Sequence, residues 1–226
     1  MGSTACTGLP ISSPTSPRAG RPGARTARPL HARPPRRPAL PPRPAPPEAE
    51  LRYLERDVLP HWTGRGAPAD LAARVAGVPG APVHGDLVPQ NVIVGPSGFT
   101  AIDWEDAQPD GLALSDLLDF LLGALIVLDR PGGLGDAEAK GRLLRGESDL
   151  SGVLFEWLRR AARALKLEPE AVAALVTLRI LDVGSARRAY EAVDEAPVAE
   201  TLPEERLAEL WLSDPALGPD WDRWRA

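Results

Sequence analysis

The sequence predicts a mostly helical α+β protein with one small β-hairpin beside a polar loop. A polar loop follows Val83, and two β-favouring runs, 92–94 and 99–102, come after it with turn-forming residues between them. Such an arrangement is typical of a hairpin. From residue 116 onward, apolar residues recur at helical spacing in several segments, which indicates helices that bury one face.

The first 47 residues differ in composition from the rest of the 226-residue chain. They hold 13 of the 26 prolines and eight arginines, and no acidic residue precedes Glu48. We expect this segment to be disordered, because it cannot bury enough apolar surface to offset its chain entropy. It could also serve as a basic arm, or not belong to the natural coding sequence. We therefore divide the chain into a tail, 1–47, and an acidic folded domain, 48–226.

Several classes of protein are disfavoured by composition. Cys6 is the only cysteine, so the chain can form neither an internal disulfide nor a cysteine-based zinc site. The longest apolar run, 117–128, has 12 residues and contains Asp119, so it is too short to cross a bilayer. The N-terminus lacks the apolar run of a signal peptide. We expect a cytoplasmic protein with no membrane association, and nucleic acid is considered as a partner only for the basic arm.

Helical periodicity gives the following predicted segments. They are an amphipathic helix over 48–59 that ends before Pro60, a short helix over 70–76, a helix over 117–128 buried on nearly all sides, a helix that begins near 148 or 149, a helix from 168 with a bend at Gly184, and a last helix over 203–212.

Three polar residues surround the predicted hairpin. Asn91 directly precedes its first strand, and Asp103 directly follows its second. Because these two positions lie side by side in a hairpin, a carboxylate and an amide oxygen should meet there, and such hard ligands suit Mg²⁺. Asp86 begins the same loop and should lie close enough to act on a hydroxyl near that metal. This arrangement of two aspartates and an intervening asparagine is the one that kinases use.

The motifs around these residues resemble the signature of the aminoglycoside phosphotransferase and choline kinase-like family. That signature is His-Gly-Asp, four residues, Asn, and later Ile-Asp-Trp/Phe-Glu. Here it is matched by His84-Gly85-Asp86, by Asn91 and by Ile102-Asp103-Trp104-Glu105. Many members have His and Gly where this chain has Val88 and Gln90. Neither position is a metal ligand, so these differences concern loop packing and substrate.

The resemblance implies a role for each matched residue. Asp86 would be the catalytic base for the hydroxyl of a small-molecule substrate. Asn91 and Asp103 would hold Mg²⁺ against the phosphates of ATP (or GTP). His84 and Asp116 would be structural, with Asp116 anchoring the catalytic loop from behind. Glu105 is a further candidate for the site, ranked below Asp86, Asn91 and Asp103. Three other acidic residues are candidates for contact with a cationic substrate: Asp182, Asp194 and Glu195.

The resemblance also implies an N-terminal lobe, for which this sequence shows no corresponding segment. A kinase of this type has an N-terminal lobe with a sheet, a phosphate-covering loop and a lysine that pairs with the nucleotide. The two lysines, Lys140 and Lys166, both follow the catalytic loop. We therefore expect 48–226 to be a protein-kinase-like C-terminal lobe without an N-terminal lobe, from a truncated or mis-started chain.

Two functions follow from this expectation. The first is a phosphotransferase that is weakly active or inactive as written, with a substrate that the motif does not identify. The second is a non-catalytic binding module that keeps the metal-binding lobe. The joint presence of Asp86, Asn91 and Asp103 favours the first, because an inactive lobe has no reason to retain all three.

Overall fold

The computed structural model of the chain describes residues 47–96, 98–129, 134–193 and 202–214, with the backbone alone for 186–193. These residues belong to one compact unit, 40–226. The predicted tail lies outside the described residues except for Pro47, and so do Asp194 and Glu195. The elements in chain order are α1 (Glu48–Tyr53), a π-helical turn (Leu54–Val58), α2 (Leu59–Thr63), α3 (Leu71–Val75), β1 (Ala81–Val83), a 3-10 turn (Pro89–Asn91), β2 (Val92–Gly95), β3 (Gly98–Ala101), β4 (Gln108–Gly111), α4 (Ser115–Asp129), α5 (Asp136–Arg145), α6 (Ser151–Leu165), α7 (Pro169–Val193) and α8 (Pro203–Ser213).

Helices and two small antiparallel ribbons make the described part of the chain α+β, as predicted. In the predicted hairpin, β2 pairs with β3 with Val92 opposite Ala101 and Gly95 opposite Gly98. A second ribbon, in which β1 pairs with β4, was not predicted. Gly111 of β4 lies so close to Val83 that a Cβ atom there would be 2.3 Å from Val83 Cγ2. This close approach brings the end of β1, and the loop after it, against the segment that precedes α4.

The first helical segment does not end before Pro60, so that prediction was wrong. Helix α2 includes Pro60 and continues to Thr63. A π-helical turn precedes it, and proline is tolerated in the first turn of a new helical segment, where its missing N–H is not needed. Leu54, Val58 and Trp62 are fully buried, so the continued helix keeps one face in the core.

Helix α4 confirms the helix predicted over 117–128, but its burial on nearly all sides was wrong. Leu118, Leu122 and Leu125 are buried, whereas Val127 and Leu128 are 56% and 69% exposed. The buried positions recur at helical spacing and form one face. The helix therefore packs through one side and leaves its C-terminal end exposed.

Helix α7 runs without interruption from Pro169 to Val193 and includes Gly184. A Cβ atom at Gly184 would lie 3.1 Å from the Trp62 ring and 3.2 Å from Ala208 Cβ. The Trp62 indole N–H donates to the Leu181 carbonyl at 3.1 Å and to Ser185 Oγ at 2.8 Å. The glycine thus allows α2 and α8 to pack closely against α7.

No helix in the described ranges combines the length and the apolar character that a membrane span requires.

Candidate active site

The loop after β1 is held by a carboxylate from the first turn of α4. The backbone N–H of His84 donates to Asp116 Oδ2 at 2.6 Å, and that of Gly85 donates to Asp116 Oδ1 at 3.1 Å. Both oxygens of one carboxylate therefore accept bonds from consecutive residues. Hydrogen bonds to a charged acceptor are stronger than neutral ones, so Asp116 fixes the start of the loop, the position expected of an anchor.

His84 connects the same loop to the end of the β2–β3 hairpin. Its side chain is 1% exposed, and its Nε2 lies 2.8 Å from the Ile102 carbonyl oxygen. A carbonyl oxygen only accepts, so Nε2 carries the proton in this contact. The imidazole also packs against Trp104, with ring centroids 4.6 Å apart. His84 is thus placed for a structural contact between the loop and the segment that carries Asp103.

Gly85 adopts a backbone conformation that side chains rarely take, with φ at +89°. A Cβ atom there would lie 2.4 Å from the Asp106 carbonyl oxygen and 2.9 Å from Asp106 Cβ. Only glycine fits this close approach without movement of the neighbouring backbone. The loop therefore passes directly against the turn between β3 and β4.

Asp86 and Asn91 are hydrogen-bonded to each other across the loop. The amide Nδ2 of Asn91 donates to the Asp86 carbonyl oxygen at 2.9 Å and to Asp86 Oδ2 at 3.0 Å. Asn91 closes the 3-10 turn, since its backbone N–H donates to the Val88 carbonyl at 3.0 Å. Because Nδ2 makes both bonds, the side-chain oxygen of Asn91 is left with no hydrogen bond to any described residue.

Asp103 lies one residue beyond a backbone contact to Asn91. The Ile102 N–H donates to the Asn91 carbonyl at 2.9 Å, which extends the ladder by one step past the Val92–Ala101 pair. Asp103 itself has φ at +66°, a left-handed conformation that aspartate and asparagine tolerate better than most residues. Its carboxylate is exposed and forms no hydrogen bond or ion pair with the described residues. The fold therefore brings the two predicted metal ligands to the same end of the hairpin.

The free groups at this position fit a magnesium ion. The Asn91 side-chain oxygen and the Asp103 carboxylate are hard oxygen ligands, and Mg²⁺ commonly uses one or two such groups and completes its shell with water and phosphate oxygens. The described residues contain no group of three or more His, Cys, Asp or Glu side chains that could hold a metal. A site here would therefore depend on substrate phosphates for much of its coordination.

A cavity of about 500 Å³ opens next to the loop and includes Gly85 and Asp86 in its wall. Its apolar lining comes from α4, α7 and α8 and includes Leu118, Ile180 and Leu207. Such a pocket is large enough for a small molecule. Because Asp86 lies at its edge, a compound bound in the cavity could present a hydroxyl to that carboxylate.

An ion-pair network that the sequence did not predict reaches this cavity through two of its members, Arg179 and Asp119. The Arg179 guanidinium donates to both oxygens of Asp119, at 3.0 and 3.1 Å from Nε, and to Asp182 Oδ2 at 2.7 Å. Tyr53 donates to the other Asp182 oxygen at 3.1 Å. Burial by itself would lower the pKa of Arg179, because it disfavours the cation. The carboxylates of Asp119 and Asp182 together have the larger effect, so the pKa of Arg179 is raised. Burial and the charge of Asp182 raise the pKa of the Tyr53 hydroxyl.

The same network bears on the residues considered for a cationic substrate. Asp182 is 6% exposed and is already paired with Arg179 and Tyr53, so it is not available to a ligand. Glu105 is exposed in the turn after β3. The network had a signal in the sequence, because Asp119 interrupts an apolar run and Arg179 falls on an apolar helix face.

The sequence profile described as "Phosphotransferase enzyme family" matches residues 4–152, about two thirds of the chain. The match spans the β1 loop and the hairpin, and it begins within the proline- and arginine-rich segment. No curated protein and no solved structure matches the chain. Together with the loop, hairpin and anchoring carboxylate described above, this match shows that the chain belongs to the phosphotransferase enzyme family.

Proposed function

We propose that this site transfers the γ-phosphate of ATP (or GTP) to a hydroxyl group of a small molecule. The observation that carries the proposal is the convergence of three groups on one loop and hairpin: Asp86, the free side-chain oxygen of Asn91 and the free carboxylate of Asp103. Family membership supports phosphoryl transfer as the type of reaction.

Asp86 acts as the base in this proposal. The hydroxyl oxygen of the substrate forms a bond to the γ-phosphorus, the bond from that phosphorus to the β–γ bridging oxygen breaks, and the hydroxyl proton passes to the Asp86 carboxylate. The Asn91 amide donates to Asp86 Oδ2 at 3.0 Å, which orients the carboxylate and leaves its other oxygen for the substrate. A positioned carboxylate of this kind contributes by orientation as well as by accepting the proton.

Asn91 and Asp103 hold the metal in this proposal. When bound there, Mg²⁺ would neutralise charge on the nucleotide phosphates. The Ile102–Asn91 backbone bond keeps the two ligands at one end of the hairpin. Asp116 and His84 position the loop from behind, through the two N–H donors bound to Asp116 and the contact of His84 with the Ile102 carbonyl.

A second candidate function is that of a binding module without catalysis. It is favoured by apolar side chains that the hairpin exposes: Ile93 is 56%, Val94 81% and Phe99 76% exposed. Clustered exposed apolar surface is typical of interaction sites. A dependence of product formation on Asp86 distinguishes the two functions, because a binding module does not need that carboxylate.

The test is a single-turnover reaction with the protein in excess over nucleotide, in the presence of Mg²⁺ and pooled hydroxylated small molecules. Mass spectrometry detects a phosphorylated product even if the chemistry is slow. We expect product from the wild-type chain and none from Asp86→Asn. The control is Asp110→Asn, which removes an exposed carboxylate on β4 and should leave product formation unchanged. Absence of product with both ATP and GTP, or equal product from Asp86→Asn, would show that the proposal is wrong.

A further inference from the structure

The charges in the cavity beside Asp86 are of two kinds. Arg179 and Asp119 bind each other, and Arg179 also donates to Asp182, so both of these wall residues are already paired. Lys140 and Glu204 also line the cavity, but their side chains form no hydrogen bond or ion pair with any other described residue. Apart from Asp86, the described residues of this wall therefore offer a ligand one unpaired cation and one unpaired anion.

Lys140 and Glu204 lie on helices that pack against each other, α5 and α8. On the same two helices, Glu138 and Arg206 approach to 3.7 Å and form an ion pair. Lys140 is two residues from Glu138, and Glu204 is two residues from Arg206. Residues two apart on a helix project roughly 200° apart around its axis. Lys140 and Glu204 therefore point away from the Glu138–Arg206 pair on their own helices, and both line the cavity.

Both unpaired groups are half-buried, and neither is within salt-bridge distance of the other. A partly buried charge without a partner loses hydration without compensation. The rest of the cavity wall is largely apolar, with Leu118, Ile180 and Leu207 facing the space. A ligand that carries both a carboxylate and an ammonium group would pair each charge and leave its apolar part against the leucines.

We propose that the substrate is a hydroxylated zwitterion of the amino-acid type. Its carboxylate binds Lys140, its ammonium group binds Glu204, its short aliphatic chain packs on the apolar wall, and its hydroxyl reaches Asp86. This assignment rests on the proposed function for the identity of the reacting group, but the recognition of the two charges stands on the cavity alone. It distinguishes the site from one built for a polycation, which would need several free carboxylates.

Binding can be measured without nucleotide, so that recognition is separated from chemistry. The probes are four six-carbon compounds that share a terminal hydroxyl: 6-hydroxynorleucine with both charges, 6-hydroxyhexanoate with the anion, 6-amino-1-hexanol with the cation, and 1,6-hexanediol with neither. Isothermal titration calorimetry gives each affinity. We expect the zwitterion to bind about tenfold or more tightly than any of the others, the effect of one charge-assisted hydrogen bond.

The variants identify the residues that provide this preference. Lys140→Met should reduce the affinity for 6-hydroxynorleucine about tenfold and should not change the affinity for 6-amino-1-hexanol. Glu204→Gln should not change the affinity for 6-hydroxyhexanoate. Lys166→Met is the matched control, because Lys166 is the only other lysine in the chain, is exposed and is not part of the cavity wall. It should have no effect.

Each outcome bears on the proposal in a defined way. Equal affinities for the four compounds, no binding by any of them, or a zwitterion preference that survives in Lys140→Met would overturn it. A zwitterion preference that depends on both residues supports it even if no phosphorylated product forms, in which case the proposed phosphotransfer fails by itself. Conversely, Asp86-dependent phosphorylation of another compound with no zwitterion preference would sustain the function and refute this assignment.

Discussion

Replacement of Gly85 by alanine tests how closely the loop that carries Asp86 is held against the turn that follows the hairpin. A left-handed conformation costs a non-glycine residue about 1–2 kcal/mol. In addition, the new Cβ would lie 2.4 Å from a backbone oxygen and 2.9 Å from the Cβ of Asp106. A backbone shift that relieves such an overlap costs about 1–3 kcal/mol. We therefore expect Gly85→Ala to lower the free energy of unfolding by about 2–5 kcal/mol.

Gly66 provides the matched control for this prediction. It also has positive φ, at +102°, but a Cβ atom there would meet nothing within 4 Å. Gly66→Ala should therefore cost only the backbone contribution of about 1–2 kcal/mol. Urea unfolding followed by circular dichroism gives both values from the midpoint and slope. If the two variants lose the same stability, the close approach of the loop to Asp106 does not contribute as described.

Three further predictions concern charged groups. Asp116→Asn should lower the free energy of unfolding by about 1.5–3 kcal/mol in urea titrations, since one loop N–H would face the new NH2 group and lose its acceptor while the other would keep only a neutral one; an unchanged midpoint would contradict the anchoring role. Arg179→Met should lower it by about 3–5 kcal/mol, because it leaves the largely buried carboxylates of Asp119 and Asp182 without a cation, whereas the exposed Arg163→Met should have little effect. Burial is the main reason why the pKa of Glu50 is raised, and the charge of Asp182 is the second. The stability that Glu50 contributes is therefore present below its ordinary pKa of 4.5. This stability is lost as the pH rises through the raised pKa. Glu50→Gln should therefore stabilise the protein at neutral pH and progressively less towards pH 4.5; a benefit independent of pH would contradict this.

The features that the sequence predicted correctly are those determined by local pattern. The hairpin of β2 and β3 follows from two β-favouring runs around a short turn, and its register places Asn91 and Asp103 at the same end. Most helices follow from apolar periodicity in the same way. The functional assignments of Asp86, Asn91 and Asp103 stay predictions, since geometry shows where the groups lie and not what they do.

The features that were missed depend on contacts between distant segments. Strand β4 has the sequence Gln-Pro-Asp-Gly, which disfavours a strand on local grounds, and it forms because Gly111 packs against Val83. The Arg179–Asp119 pair joins residues 60 positions apart. Arg179 and Asp119 each interrupt the apolar pattern of their own helix. That pattern does not show which residue of another helix a charged side chain will meet.

The wall of the cavity could not be predicted for the same reason. Lys140 and Glu204 belong to separate helices, and their common position appears only when α5 packs against α8. At Pro60 a strong local signal predicted a helix end, but a π-helical turn before it lets the helical segment continue. Long-range packing decides both cases.

Manganese binding tests the central claim most directly, that Asn91 and Asp103 form one divalent-metal site beside Asp86. Mn²⁺ replaces Mg²⁺ as an oxygen-preferring cation and can be titrated by electron paramagnetic resonance in the presence of ATP. Asp103→Asn keeps a residue type that tolerates the left-handed backbone, so its effect reports on the carboxylate. We expect Asp103→Asn and Asn91→Ala to weaken Mn²⁺ binding roughly tenfold or more, and the control Asp110→Asn to leave it unchanged. Equal Mn²⁺ affinity in all four proteins would contradict the account.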